Sequence, residues 1–242
     1  MKNDFTLSSI EGTWRFNDNV AKNFDKHVNQ SIPHYSDLQI YISSLAEWFI
    51  KDGSLIYDLG CSTGESVKNI CKLNTKTKFK IIGYDSSKKM IELAKKKINL
   101  KKLKKEGVDV QFKTSDILKI KKFKKSDLFL SILFFPFINL KNREKIVKQI
   151  YKSLNTGGGF ILVEKIRSKN SNFEDILNQM YFDFKLRNNL SEKEILKKSK
   201  SLRSSMHLFN ENTAKNLLKK SGFSNYEVFF KCLNFIGYIA IK

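Results

Sequence analysis

From residue 55 onward, short apolar runs alternate with stretches in which apolar residues recur every three or four positions. The runs Leu55–Leu59, Phe79–Tyr84, Val108–Phe112, Asp127–Leu133 and Phe160–Glu164 read as strands. Two more, Tyr226–Phe230 and Phe235–Ile241, lie close enough together to form an antiparallel hairpin, which brings the expected total to seven strands. Between them, Met90, Ile91, Leu93, Ala94 and Ile98 fall at helical spacing, as do Ile146, Val147, Ile150, Tyr151 and Leu154. The second of these helices is expected to stop at Asn155-Thr156-Gly157-Gly158-Gly159. Repeated strand–helix units predict an α/β fold around a mostly parallel sheet. Two segments are additional. An N-terminal helical lid is expected over residues 1–50, with Trp14, Phe16, Val20 and Phe24 on a short apolar face and a longer helix over Leu38–Ile50. A helical insertion, Asn172–Met206, follows the fifth strand, where insertions commonly cover an open α/β site.

Composition narrows this picture. At 242 residues the chain can bury a full core, and no Pro-, Gly- or Ser-rich linker divides it, so one domain over 1–242 is expected. The most apolar run, Leu128–Leu140, is well short of the roughly 18–20 residues of a membrane span and is interrupted by Pro136. Met1-Lys2-Asn3-Asp4 is too polar to begin a leader peptide, so the cytoplasm is the expected compartment. Cys61, Cys71, Cys232, His27, His34 and His207 are too few and too scattered for a disulfide framework or a metal site. The formal charge of +21 invites a nucleic-acid reading, yet all but five of the 45 basic residues are lysine. Lysine is a hydrated point charge, whereas base and phosphate recognition favours the arginine fork, so solvated lysine faces are preferred over direct RNA binding.

The chemistry sits where the strands end. The first strand runs into Asp58-Leu59-Gly60-Cys61-Ser62-Thr63-Gly64, whose small residues let backbone N–H groups approach a ligand. Glu65–Leu73 permits the helix that such a turn must open, and a helix N-terminus favours an anion. Alone, this turn is also an ordinary strand-to-helix connection. The second strand ends in Asp85, which either clamps a ribose diol or caps the next helix, a task Ser86 or Ser87 could equally perform. The third leads to Asp116-Ile117, which fits an Asx turn or a reader of adenine's amino group and ring nitrogen. Three acids at successive strand ends narrow the ligand. A nicotinamide site must cradle a pyrophosphate, but here a carboxylate precedes the turn and serine replaces the middle glycine. That suits an ammonium, and a ligand carrying ribose, adenine and an amino acid is S-adenosylmethionine (SAM).

These motifs, with Met90-Ile91-Glu92-Leu93-Ala94 and Leu154-Asn155-Thr156-Gly157-Gly158, resemble the class I SAM methyltransferases of Rossmann-like fold. The flanks resemble a narrower family, carboxy-S-adenosyl-L-methionine synthase. Its likeness is carried by Trp14-Arg15-Phe16 with Val20-Ala21, by Gln30-Ser31-Ile32-Pro33-His34-Tyr35, by Glu164-Lys165, Asp183-Phe184-Lys185 and Met206, and by Ser221-Gly222-Phe223 with Phe230 to Phe235. The resemblance spans essentially the whole chain. It implies a homodimer that transfers a carboxyl group from prephenate to the methyl of SAM, with a product used to make 5-oxyacetyl uridine at tRNA wobble positions. It also implies that Tyr35, Gly60, Cys61, Ser62, Asp85, Ser86, Asp116 and Ile117 contact SAM beside Asp58. Two positions depart from the family. Ser131, counted among the cofactor-binding residues because a serine can still donate one hydrogen bond, stands where the family has an asparagine. Ser199 stands where it has an arginine that grips the transferred carboxylate, and Lys198 or Lys200 could supply a point charge instead. A methyltransferase of unknown acceptor that has lost this grip is the alternative, and an RNA-binding module is the non-enzymatic one.

Overall fold

All seven expected strands form. The structure, a computed structural model, describes residues 23–74, 76–203 and 205–242, so Trp14, Arg15, Phe16, Val20 and Ala21 lie outside the described residues. Four parallel pairings join β1 (Leu55–Leu59), β2 (Phe79–Asp85), β3 (Val108–Thr114), β4 (Ser126–Ile132) and β5 (Leu154–Arg167). A two-residue strand, β6 (Phe209–Asn210), pairs with the end of β5 and was not expected from the pattern. It is too short to show any alternation. The C-terminal hairpin, β7 (Asn225–Cys232) and β8 (Phe235–Ile241), joins antiparallel through β8 to β5. The order is β3-β2-β1-β4-β5-β8-β7, with β6 beside β5.

The pleat divides the core cleanly, because successive side chains on a strand point to opposite faces. On one face Ile56, Ile81, Val110, Leu128, Ile161 and Val163 pack with helices α2 (Tyr35–Glu47), α3 (Glu65–Leu73) and α4 (Lys88–Lys97), through Leu38, Ile42, Val67, Ile70, Ile91 and Ala94. On the other, Tyr57, Leu59, Phe129, Phe160, Leu162 and Tyr238 meet Ile146, Val147 and Ile150 of the helix over Leu140–Ser153 and Ala214, Leu217 and Leu218 of the helix over Glu211–Lys220. Each valine, leucine, isoleucine or phenylalanine among them contributes up to about 1.5–3 kcal/mol by its burial.

Among the described residues the remaining helices are α1 (Phe24–Ser31), α5 (Leu100–Lys105), α7 (Ser171–Arg187) and α8 (Glu192–Leu202); those over 140–153 and 211–220 are α6 and α9. The 172–206 insertion is therefore a helix pair, and α8 opens on a capping box in which Ser191 and Glu194 satisfy each other's backbone N–H groups. Two boundaries differ from the sequence reading. Helix α2 begins directly after Pro33-His34 and ends at Glu47, because Pro33 restricts the residue before it and separates α1 from α2. Helix α6 is not stopped by glycine. It ends at Ser153, Leu154 is already extended, and Asn155–Gly159 belong to β5, where the register with β4 shifts between Ser126 and Leu128. The polar Asn155 looked like a loop residue, but it is held against β4 by a 2.8 Å bond to Asp127.

The strand order reverses between β1 and β4, so their connections leave in opposite directions and open a crevice at the carboxyl ends of the strands. The first turn enters that crevice, with α1, α7 and α8 around it.

Candidate active site

The turn after β1 folds back on β2: the N–H groups of Gly60 and Cys61 both donate to the carbonyl of Tyr84, at 2.8 and 2.9 Å. Gly60 has φ +77°, and a Cβ there would lie 2.5 Å from the ring of Phe134, so both the backbone conformation and the space require glycine. Ser62 also adopts a left-handed φ of 49°, a strain of roughly 1–2 kcal/mol for a residue with a Cβ. Its N–H donates to Asp85 at 3.0 Å, which offsets part of that strain. Asp85 accepts a second bond from the N–H of Ser87 at 2.8 Å, and it is Ser87 whose hydroxyl caps α4. Capping therefore does not account for Asp85, and burial raises its pKa.

Asp58 is 2% exposed and receives no hydrogen bond from the described residues. Burial, and then the neighbouring charge of Asp85, push its carboxyl up to about 7. Asp116 does form a local cap, accepting from the N–H of Leu118 at 2.9 Å at the start of a 3-10 turn. Burial raises the Tyr35 hydroxyl, with Glu65 and Asp25 adding to the effect. Asp25 also pins α1 over the turn: it accepts from Thr63 and pairs with Lys97, which reaches Thr63 and Glu65 at 3.0 Å each.

These residues line one cleft of about 1150 Å³. Tyr35, Asp58, Gly60, Cys61, Ser62, Asp85, Ser86, Asp116 and Ile117 all open on it, as do Lys198 and Ser199. Two residues singled out from the sequence do not. Ser131 is fully buried in β4, on the same face of the sheet as Phe129, with no hydrogen-bond partner for its hydroxyl among the described residues. Lys200 is exposed and absent from the cleft wall, because its place on α8 turns it away from the face that Lys198 and Ser199 share.

The same cleft has a cationic end of which sequence reasoning found only Lys198. Lys165 and Arg167 from β5, Lys185 from α7 and Lys198 from α8 all line it, against Glu174 and Asp175. Burial holds Lys185 down to about 6, with Lys165 and Lys198 adding repulsion. Burial likewise brings Lys198 to about 7 and Lys165 to about 8. Lys198 contacts Nε2 of His27, whose ring is held neutral, its pKa lowered to about 3 by burial and then by Lys198 and Lys185. In a chain so rich in lysine the residue type carried no signal, and only burial separates these from the solvated ones. A second concavity, between the 121–125 loop and α6, is lined largely by lysines and contains none of the residues above. Among the described residues no group of His, Cys, Asp or Glu is placed to hold a metal ion, and no helix is long and apolar enough to cross a membrane.

Comparison with known proteins agrees with this geometry. Residues 50–222 match the model of a methyltransferase domain. A solved structure of a putative SAM-dependent methyltransferase from Methanococcus maripaludis superposes with a TM-score of 0.61 at 22% identity, covering 97% of each chain, a likeness of fold. The fold and the match define the class: the chain is a SAM-dependent transferase. Two relatives are more specific. The chain is 36% identical over 233 residues to a carboxy-S-adenosyl-L-methionine synthase of Staphylococcus epidermidis, covering 95% of this chain and 97% of the relative. It is 35% identical over 231 residues to one of Histophilus somni, covering 96% and 94%. The chain belongs to the carboxy-S-adenosyl-L-methionine synthase family.

Proposed function

We propose that the chain converts SAM and prephenate to carboxy-SAM and phenylpyruvate, supplying the product used for 5-oxyacetyl uridine at tRNA wobble positions. One observation carries this reading: a SAM-type turn and a cluster of cations, Lys185 buried and Lys165 and Lys198 half-buried, share a single cleft. An ordinary methyl transfer to a neutral acceptor has no use for that cluster. Prephenate brings two carboxylates.

The residues present fit SAM. Asp58 is a buried acid with no donor among the described residues, and a ligand ammonium supplies one. Asp85, fixed by two backbone N–H groups, is aimed at the ribose diol; Asp116 and Ile117 read adenine; Tyr35, Ser86 and the Gly60-Cys61-Ser62 backbone close around the rest. Bound SAM supplies a methyl whose protons the sulfonium acidifies. In the net reaction prephenate loses its ring carboxylate as carbon dioxide and its ring hydroxyl as hydroxide while becoming aromatic. Hydroxide takes up the methyl proton as water, and the new carbon–carbon bond joins methyl carbon to carbon dioxide, so atoms and charge balance. The protein's part is to exclude water and place charge, which a site walled by α1, α7 and α8 can do. Lys198 holds the transferred carboxylate where Ser199 replaces the family arginine. It does so as a point charge and without the fork.

Incubation with SAM and prephenate followed by mass spectrometry is expected to reveal carboxylated SAM, and its absence would overturn the reading. Ser199, which lines the cleft but cannot hold a carboxylate by charge, favours one alternative: a methyltransferase that has lost the grip. If Ser199→Arg gains carboxy-SAM formation that the parent lacks, that alternative is correct for the parent.

A further inference from the structure

We infer that Lys165 and Lys185 form a carboxylate anchor of their own, holding the carboxylate that the substrate keeps, apart from Lys198 at the carboxylate it gives up. This rests on the proposed reaction only for the identity of the ligand; the anchor itself is a feature of the cleft.

Both ammonium groups converge on one aromatic ring. The Lys185 Nζ lies 3.8 Å from the centroid of Tyr181 and 5.5 Å from that of Phe182, while the Lys165 Nζ lies 4.4 Å from Tyr181 and 5.9 Å from Phe235. Neither makes an ion pair or a hydrogen bond among the described residues. Glu174 is the acid whose charge reaches Lys165, but its oxygens are already engaged, one by the N–H of Ser168 at 2.6 Å and the other by Asn178 at 3.1 Å. Lys185 is 6% exposed, and Tyr181 is 7% exposed. Every neighbouring element presents positive or neutral groups to the pair except the start of α7: Arg167 from β5, Lys198 from α8 and the neutral His27 from α1, against Glu174 and Asp175.

Two amines gathered on one ring, with no counter-ion among the described residues, resist carrying charge together, because the charges would repel and be poorly solvated. A carboxylate between them offsets both penalties and lets both amines carry charge. Two lysines are needed because each offers a single-point contact, whereas one arginine would have sufficed with its fork. The aromatic walls Tyr181, Phe182 and Phe235 then receive the flat, unsaturated ring that bears the side chain ending in that carboxylate. The ligand class is a small ring-bearing dicarboxylate, with one carboxylate on the Lys165–Lys185 anchor and the other at Lys198.

Phenylpyruvate isolates the anchor, since it carries only the retained carboxylate. Isothermal titration of the full chain, saturated with S-adenosylhomocysteine, would compare phenylpyruvate with prephenate. Lys165→Gln and Lys185→Gln are each expected to weaken phenylpyruvate roughly ten- to hundredfold, the effect of losing one charge-assisted contact. Lys198→Gln is expected to weaken prephenate far more than phenylpyruvate. Lys185→Arg should restore most of the phenylpyruvate affinity, and S-adenosylhomocysteine binding reports whether each variant is folded. Phenylpyruvate affinity that is unchanged in both Gln variants, or that falls equally in Lys198→Gln, overturns the anchor. Lysine-dependent binding without carboxylated product would sink the proposed reaction and leave the anchor standing; product formed without lysine dependence would do the reverse.

Discussion

Replacing Lys185 with methionine should stabilise the ligand-free protein. The side chain is 6% exposed, and its amine has aromatic rings but, among the described residues, no counter-ion around it. Burial first, and then Lys165 and Lys198, bring its pKa from 10.5 to about 6. Between those values the unfolded chain binds a proton that the folded protein does not, so stability falls as pH falls from 10.5 and the loss is complete only below 6. Each pH unit inside that window corresponds to about 1.4 kcal/mol. At pH 7.5, some three units below the unfolded value, the upper bound is about 4 kcal/mol, the same scale as the 1–4 kcal/mol gained when buried ion pairs give way to apolar residues. Methionine matches the stem in length and keeps the ring contacts. The variant should therefore be more stable near neutral pH by about 1–4 kcal/mol, a rise in Tm of about 2–4 °C per kcal/mol for a chain near this size. The advantage should shrink by up to about 1.4 kcal/mol for each unit between pH 7 and 9. Thermal and urea denaturation of both proteins without ligand, at pH 7, 8 and 9, measures this. A variant less stable than its parent at pH 7, or a gap that does not change with pH, refutes an unneutralised Lys185.

Three further outcomes follow from the cleft and its support. Gly60→Ala places a Cβ 2.5 Å from the Phe134 ring at φ +77°, so binding of S-adenosylhomocysteine should fall more than about tenfold in calorimetry, with strain of roughly 1–2 kcal/mol from the backbone alone. Because Asp58 titrates near 7, ligand binding should strengthen as pH rises from 6 towards 7.5 and its carboxyl ionises; Asp58→Asn should flatten that rise and weaken binding roughly ten- to hundredfold. Arg143 and Glu164 are buried 3.8 Å apart, and neither Glu164 oxygen has a hydrogen-bond donor among the described residues. Arg143→Met should destabilise the protein by about 3–5 kcal/mol in urea, while Arg143→Met with Glu164→Leu should recover only the part owed to Glu164, because the carbonyls of Ile138 and His207 lose their Arg143 donor in both; a double variant no better than the single one contradicts a coupled pair.

The sequence by itself determined the layering of the fold. Alternating apolar runs and helical stripes are local patterns, so β1, α3 and β8 were legible to the residue, and the acids Asp58, Asp85 and Asp116 were legible as strand-end positions. It misread the start of β5, where Asn155–Gly159 look like a loop because the Asp127 contact that makes them strand comes from another segment. It also could not choose between Lys198 and Lys200, two positions apart on one helix, or discover Lys165 and Lys185 among 40 lysines of identical type. Only the tertiary structure decided these. A lysine's chemistry depends on how much water and which charges surround its ammonium, and here those surroundings are assembled from β5, α7 and α8, which only the folded sheet brings to the end of a single cleft.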